Sequence, residues 1–241
     1  MSQEKARQEN GNMTIGAFVA EDYRTAEVFE KYGIDFCCGG QATLAATCLE
    51  KDLDPDKVLQ EIAAARSEPL QRSENYVAWS LPFLIDYIVN THHVYLKEND
   101  EQIAAYTQKI AEVHGAHHPE VIEIAAIFGK ISTDMAEHLK TEEEQFFPAI
   151  KRADAAASNG KNQDSSDRDL IKTSLEKLHR EHEEIGDAIH KIRHLANDYA
   201  IPDDVCNTFV VTYRKLKEYE DDLHKHVHLE NNILFTKAAQ L

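Results

Sequence analysis

Two stretches of this chain repeat the spacing His-x-x-x-Glu inside long helical patterns, as His138 with Glu142 and His226 with Glu230. On an α-helix, residues four apart share a face, with Cβ atoms roughly 5–6 Å apart. Each pair therefore sets an imidazole and a carboxylate on one stripe. The segments agree beyond these residues. Residues 138–148 read HLKTEEEQFFP and residues 226–236 read HVHLENNILFT, with Phe147 matching Phe235. One half-site used twice predicts a duplicated helix pair. Two imidazoles and two carboxylates can then point into one bundle interior. That donor set suits a pair of iron-like ions, because a carboxylate can bridge two metals.

The rest of the chain fits such a bundle. Ser80 before Leu81-Pro82 starts a first long helix, running to about Val113. Pro119 opens a second, to about Lys151, and residues 153–168, ADAAASNGKNQDSSDR, read as a flexible loop. A third runs from about Asp169 to Asn197, and Pro202 opens a fourth reaching about Ala238. No strand-like alternation of useful length occurs. The expected class is all-α: an up-down-up-down four-helix bundle over residues 76–241, preceded by a small helical unit at 13–65 and a linker at 66–75. Residues 1–12 read as disordered. Within the small unit, Thr14 caps a helix extending to Tyr32, where Gly33 ends it. A second helix covers about Gln41 to Leu49, and Asp54-Pro55 opens a third.

The formal net charge of −17 argues against nucleic acid as a partner. No apolar stretch approaches the ~20 residues that cross a bilayer, and the polar N-terminus lacks a signal core. A cytoplasmic location follows as the expectation. Four cysteines, Cys37, Cys38, Cys48 and Cys206, do not make a disulfide framework.

The first helix carries His92 and His93 behind the apolar stripe of Leu84, Ile85, Ile88 and Val89, and periodicity does not choose between them. In the third, His179 and His182 both flank the stripe of Leu175, Leu178, Ile185 and Ile189. A lone buried histidine is most often a core residue bonded to a carbonyl. Histidines on all four helices of an acidic bundle, with two His-x-x-x-Glu pairs, favour metal binding instead. Glu143, Glu144, Asp221 and Asp222 read as solvated faces or partners of the ligands. Cys37-Cys38 is followed by two glycines and a helix start, where free N–H groups favour thiolate, whereas Cys48 and Cys206 read as buried and inert.

The IDFCCGGQATL stretch and the closing DDLHKHVHLENNILF together resemble the Repair of Iron Centers (ScdA-type) family, whose members join a cysteine-bearing N-terminal domain to a hemerythrin-like bundle. The resemblance covers nearly the whole chain. It selects His93, seven residues after Asp86, and His182, within EHEEIG. It implies a non-haem centre of two iron ions held by His93, His138, His182 and His226, two imidazoles to each iron, with Glu142 and Glu230 bridging. Oxygen-carrying hemerythrins place another His four residues after the third-helix ligand. Here Gly186 stands there, which leaves a coordination position open. The resemblance implies a protein that helps restore iron–sulfur clusters damaged by nitric oxide or oxidants. Damaged iron–sulfur proteins would be its clients, nitric oxide a ligand, and Cys37 and Cys38 the thiols that pass iron on. Glu181 is read as a residue behind the ligands or along a channel. The rival readings are a sensor or carrier of nitric oxide or oxygen and a nitric oxide reductase, for which the sequence holds no electron-supplying motif. A homodimer through the small N-terminal unit is a further expectation.

Overall fold

A computed structural model describes residues 11–67, 75–160 and 164–241. The expected linker at 66–75 and disordered tail at 1–12 lie largely outside these residues. The chain divides into two compact units. One takes the N-terminal part through Leu84 together with Val227–Gln240, and the other takes Ile85–His226.

The first unit contains α1 (Ile15–Glu21), α2 (Thr25–Lys31), α3 (Leu44–Glu50) and α4 (Pro55–Ala65). Side-chain caps set their starts. The Thr14 hydroxyl accepts from Ala17 N, Thr43 from Ala46 N, and Asp54 from Asp56 N with Pro55 in the first turn. The single helix expected through Tyr32 is broken in two. Asp22 accepts the Arg24 backbone N–H at 3.1 Å and its guanidinium at 2.9 and 2.6 Å, a local alternative to helical bonding. Gly33 ends α2 with a left-handed φ of 61°. Ile15, Val19, Phe29, Leu44 and Val58 form a fully buried core.

The same unit includes the last turns of the chain. Asn232 Nδ2 donates to the Phe36 carbonyl at 3.0 Å, and Asn231 Nδ2 to the Cys37 carbonyl at 3.3 Å. Backbone bonds from Gly16 N to Gly40 O (2.8 Å) and from Ile15 N to Ala42 O (2.9 Å) tie the cysteine loop to α1. A Cβ at Gly40 would collide with the Phe36 carbonyl and with Asn232, so glycine is required there.

The helical bundle contributes its residues Ile85–His226 to the second unit. Its first long helix comprises α5 (Leu81–Ile88), a π-helical turn at Val89–His93 and α6 (Val94–His114). The second comprises α7 (Glu120–Thr141), a π turn at Glu142–Phe146 and α8 (Phe147–Ser158). The third is α9 (Ser165–Leu195), capped by Asp164. The fourth comprises α10 (Asn207–His228), a π turn at Leu229–Leu234 and α11 (Phe235–Ala238). The loop expected at 153–168 is much shorter, because alanine-rich residues 153–158 continue the helix and 165–168 begin the next. Pro202 does not open the fourth helix, which starts at Asn207. Asn197, Asp198 and Tyr199 take left-handed φ values of 49–59°, and the chain turns before re-entering helix. Leu96, Ile103, Phe128, Met135, Leu178, Ile189, Leu216 and Tyr219 fill the interior without exposure. Among the described residues no helix is long and apolar enough to cross a membrane.

Asp100 on α6 is a cost inside this core. Burial pushes its carboxyl up to about 6, with the Tyr219 hydroxyl opposing the shift. A raised folded pKa means that the native state holds this proton while the unfolded chain, near pH ~4, has lost it. Stability therefore falls as pH rises from about 4 to about 6 and stays lower above. Asp100→Asn is expected to stabilise the protein by roughly 2 kcal/mol near neutral pH and by nothing near pH 4. Thermal melts at the two pH values check this.

Candidate metal centre

The bundle interior holds two imidazole pairs. His93 Nε2 lies 3.1 Å from His226 Nε2, and His138 Nε2 lies 3.0 Å from His182 Nε2. All four rings are buried. One oxygen of Glu142, itself fully buried, stands 3.5 Å from His93 Nε2 and 3.5 Å from His138 Nε2, so it faces both pairs. Ligand atoms of His93, Glu142 and His226 lie within 4.8 Å of one another, as do those of His138, Glu142 and His182. Glu230 is fully buried one turn beyond His226 on the fourth helix.

The outer nitrogens decide which way these rings face. His93 Nδ1 is 2.8 Å from Glu143 Oε1, and His138 Nδ1 is 3.0 Å from Glu181 Oε2. Both carboxylates are held ionised. For Glu143, burial works against the charge, but Lys97 and His93 outweigh it and lower the pKa. For Glu181, the hydrogen bond from His138 is the main lowering cause. An ionised carboxylate only accepts, so Nδ1 carries the proton and donates, and Nε2 turns a lone pair inward.

At 3.0–3.1 Å each Nε2···Nε2 contact is satisfied either by an Nε2–H of the second ring or by a cation held between the two nitrogens. The separation suits ligands about 90° apart on an ion with nitrogen bonds of roughly 2.1 Å. The donor set is imidazole with carboxylate, which selects borderline first-row metals. The carboxylate behind each histidine is the arrangement that orients metal-bound imidazoles.

The structure also separates the histidines that periodicity left open. His93, not His92, points into the cluster, while His92 Nδ1 bonds Asp222 at 2.9 Å. His182, not His179, faces His138. The π turns explain why spacing alone was insufficient. Val89–His93 and Glu142–Phe146 are wider than α-helix and shift the facing of the residues that they carry.

The cysteine loop departs from expectation. Asp35, which the sequence reading passed over, accepts the backbone N–H groups of Cys37 (2.9 Å), Cys38 (3.0 Å) and Gly39 (3.0 Å). The Asx-type spacing in Asp35-Phe36-Cys37 is the signal that was available. The N–H groups expected to favour thiolate are thus spent on Asp35. The next helix starts only at Leu44. Cys37 is buried with Sγ 3.2 Å from Asp35 Oδ1 and 3.8 Å from Cys38 Sγ. Its thiol is pushed well above the ordinary range by Cys38, by burial and by the negative Asp35. These causes favour the thiol form of Cys37 over the thiolate. Asp35, Cys37 and Cys38 place ligand atoms within 4.8 Å of one another. Cys48 is buried as expected, but Cys206 is exposed rather than buried. His114 Nε2 lies 3.1 Å from its sulfur and, with backbone N–H groups of the fourth helix, lowers the thiol to about 7.

Residues 84–238 match the Hemerythrin HHE cation binding domain, and residues 11–66 match the ScdA N-terminal domain, described as a domain of unknown function (DUF542). The iron-sulfur cluster repair protein ScdA of Staphylococcus epidermidis is 32% identical over 227 residues, covering 93% of this chain and 97% of that protein. ScdA of Staphylococcus haemolyticus is 32% identical over 229 residues, 95% of this chain and 99% of its own length. The iron-sulfur cluster repair protein YtfE of Yersinia pestis is 28% identical over 229 residues, 95% of this chain and 97% of that protein. With a hemerythrin-type cation-binding domain behind an ScdA-type N-terminal domain, and relatives matched over nearly their full length, this chain belongs to the ScdA/YtfE family of iron–sulfur cluster repair proteins.

Proposed function

We propose that this protein is a cytoplasmic di-iron protein that restores iron–sulfur clusters damaged by nitric oxide or oxidants. In this reading His93 and His226 would hold one iron, His138 and His182 the other, and Glu142 and Glu230 would supply the carboxylates. The observation that carries this reading is the pair of inward-facing imidazole couples, with Glu142 3.5 Å from a histidine of each. When bound, the iron pair supplies a labile iron source and a place for a diatomic ligand. The chain's own residues do the rest. Glu143 and Glu181 keep the Nδ1 protons of His93 and His138 and fix both rings. Gly186 contributes no ligand where a further imidazole would close the coordination shell. Cys37 and Cys38 take up iron in exchange for their thiol protons and pass it to client iron–sulfur proteins.

A second reading, nitric oxide or oxygen sensing, has one observation in its favour. A cavity of about 570 Å3 is lined by Ile127, Ile131, Ile185 and Ala188 and reaches His138 and Glu181. Its aliphatic stretch suits a small uncharged gas, although Lys130, Asp134, Glu137, Glu184 and Lys191 line the same cavity.

The test is anaerobic purification with iron-57, followed by Mössbauer spectroscopy and a reactivation assay. About two coupled high-spin irons per chain, together with faster recovery of a nitric-oxide-damaged iron–sulfur enzyme, are expected. Zinc alone or no metal would remove the di-iron reading. Two irons with no effect on recovery, but reversible nitric oxide binding, would favour the sensor.

A further inference from the structure

A second histidine–carboxylate group lies elsewhere in the bundle. His190 sits on α9 about two turns beyond His182, and Glu220 and His224 sit four residues apart on α10. Glu220 and His224 repeat the carboxylate–imidazole stripe of the main cluster with the order reversed, and both are buried. His190 is half-buried and gives the group a route to solvent. His224 Nε2 is 3.7 Å from Glu220 Oε1, and the His190 and His224 rings are 5.4 Å apart. All three residues offer ligand atoms within 4.8 Å of one another.

We propose that His190, Glu220 and His224 form a separate mononuclear site for a borderline divalent cation of the zinc class. Two imidazoles and one carboxylate are a donor set that binds such ions while leaving a position for water. One positive charge already stands there: Arg193 Nε donates to Glu220 Oε1 at 2.9 Å, and its side chain is 32% exposed. A fully buried carboxylate needs a compensating charge, and Arg193 supplies it in the absence of metal. A divalent ion with two further imidazole ligands replaces that ion pair, and Arg193 turns to the solvent it already partly faces. The site closes α9 onto α10 by ligand exchange, with no change of oxidation state.

The test titrates zinc into the full chain after anaerobic loading of the bundle centre with iron. Wild type is expected to bind one zinc more than His190→Ala, and Glu220→Gln to lose at least about tenfold in affinity. Arg193→Gln removes the competing cation and is expected to bind about tenfold more tightly. Zinc raises the thermal midpoint of wild type more than that of His190→Ala, and a cooperative zinc-free melt of His190→Ala checks that the half-buried substitution leaves the bundle folded. Equal zinc uptake by wild type and His190→Ala, or unchanged affinity in Arg193→Gln, overturns the assignment. The readout is the difference between wild type and variant, so it stands apart from whether the main centre holds two irons.

Discussion

Replacing Glu142 with Leu is expected to release iron from the bundle, lowering metal content from about two ions per chain to a small fraction of one. The carboxylate is fully buried and stands 3.5 Å from an imidazole of each pair. Without it, the metals of the proposed centre would have one negative charge fewer to offset them. A desolvated charge left uncompensated costs several kcal/mol, enough to outweigh the remaining nitrogen bonds. Glu230→Leu is expected to act in the same direction. The metal-free variant should melt higher than metal-free wild type, because it no longer buries a carboxylate without its cation. Iron analysis and melting of both forms decide the matter. Full retention of both irons in the Leu variants rules these residues out as bridges.

The second large effect is expected from Cys37→Ser with Cys38→Ser. Both sulfurs belong to the first unit, where Asp35 and the Asn231 side chain fix their loop through its backbone. Serine keeps that backbone network and nearly the same volume. Iron in the bundle should therefore stay near about two ions per chain, while the rate of enzyme reactivation falls at least about tenfold, since a hydroxyl is a poor ligand for iron that a thiolate holds. Loss of bundle iron in this variant would contradict the division of labour. Undiminished reactivation would remove the thiols from the pathway.

Periodicity and punctuation carried much of the fold. Thr14, Asp54 and Gly33 mark helix boundaries because a cap is a local bargain between one side chain and the nearest backbone groups. His138 with Glu142 was legible for the same reason: a spacing of four on a helix is geometry that the chain carries by itself. Where the reading failed locally, a competing local interaction had been overlooked. Asp22 with Arg24 splits α1 from α2, alanine propensity shortens the loop at 153–168, and Asp35 captures the N–H groups around Cys37.

Other decisions belong to the folded chain alone. Adjacent histidines at 92 and 93 have equal standing in any linear pattern. The π turn that carries them, and the partners waiting at Asp222 and Glu143, assign one outward and the other to the cluster. The acidity of Cys37 and of Asp100 depends on burial, which only packing supplies. The joining of Asn231 and Asn232 to a loop almost two hundred residues earlier has no local signature. The sequence by itself set out the histidines and glutamates expected as ligands and the helices that carry them, because side-chain chemistry and helical spacing are local. Which nitrogen faces inward, which thiol keeps its proton and whether His190 meets Glu220 and His224 were decided only by tertiary structure, because they depend on distances that exist after the helices have packed.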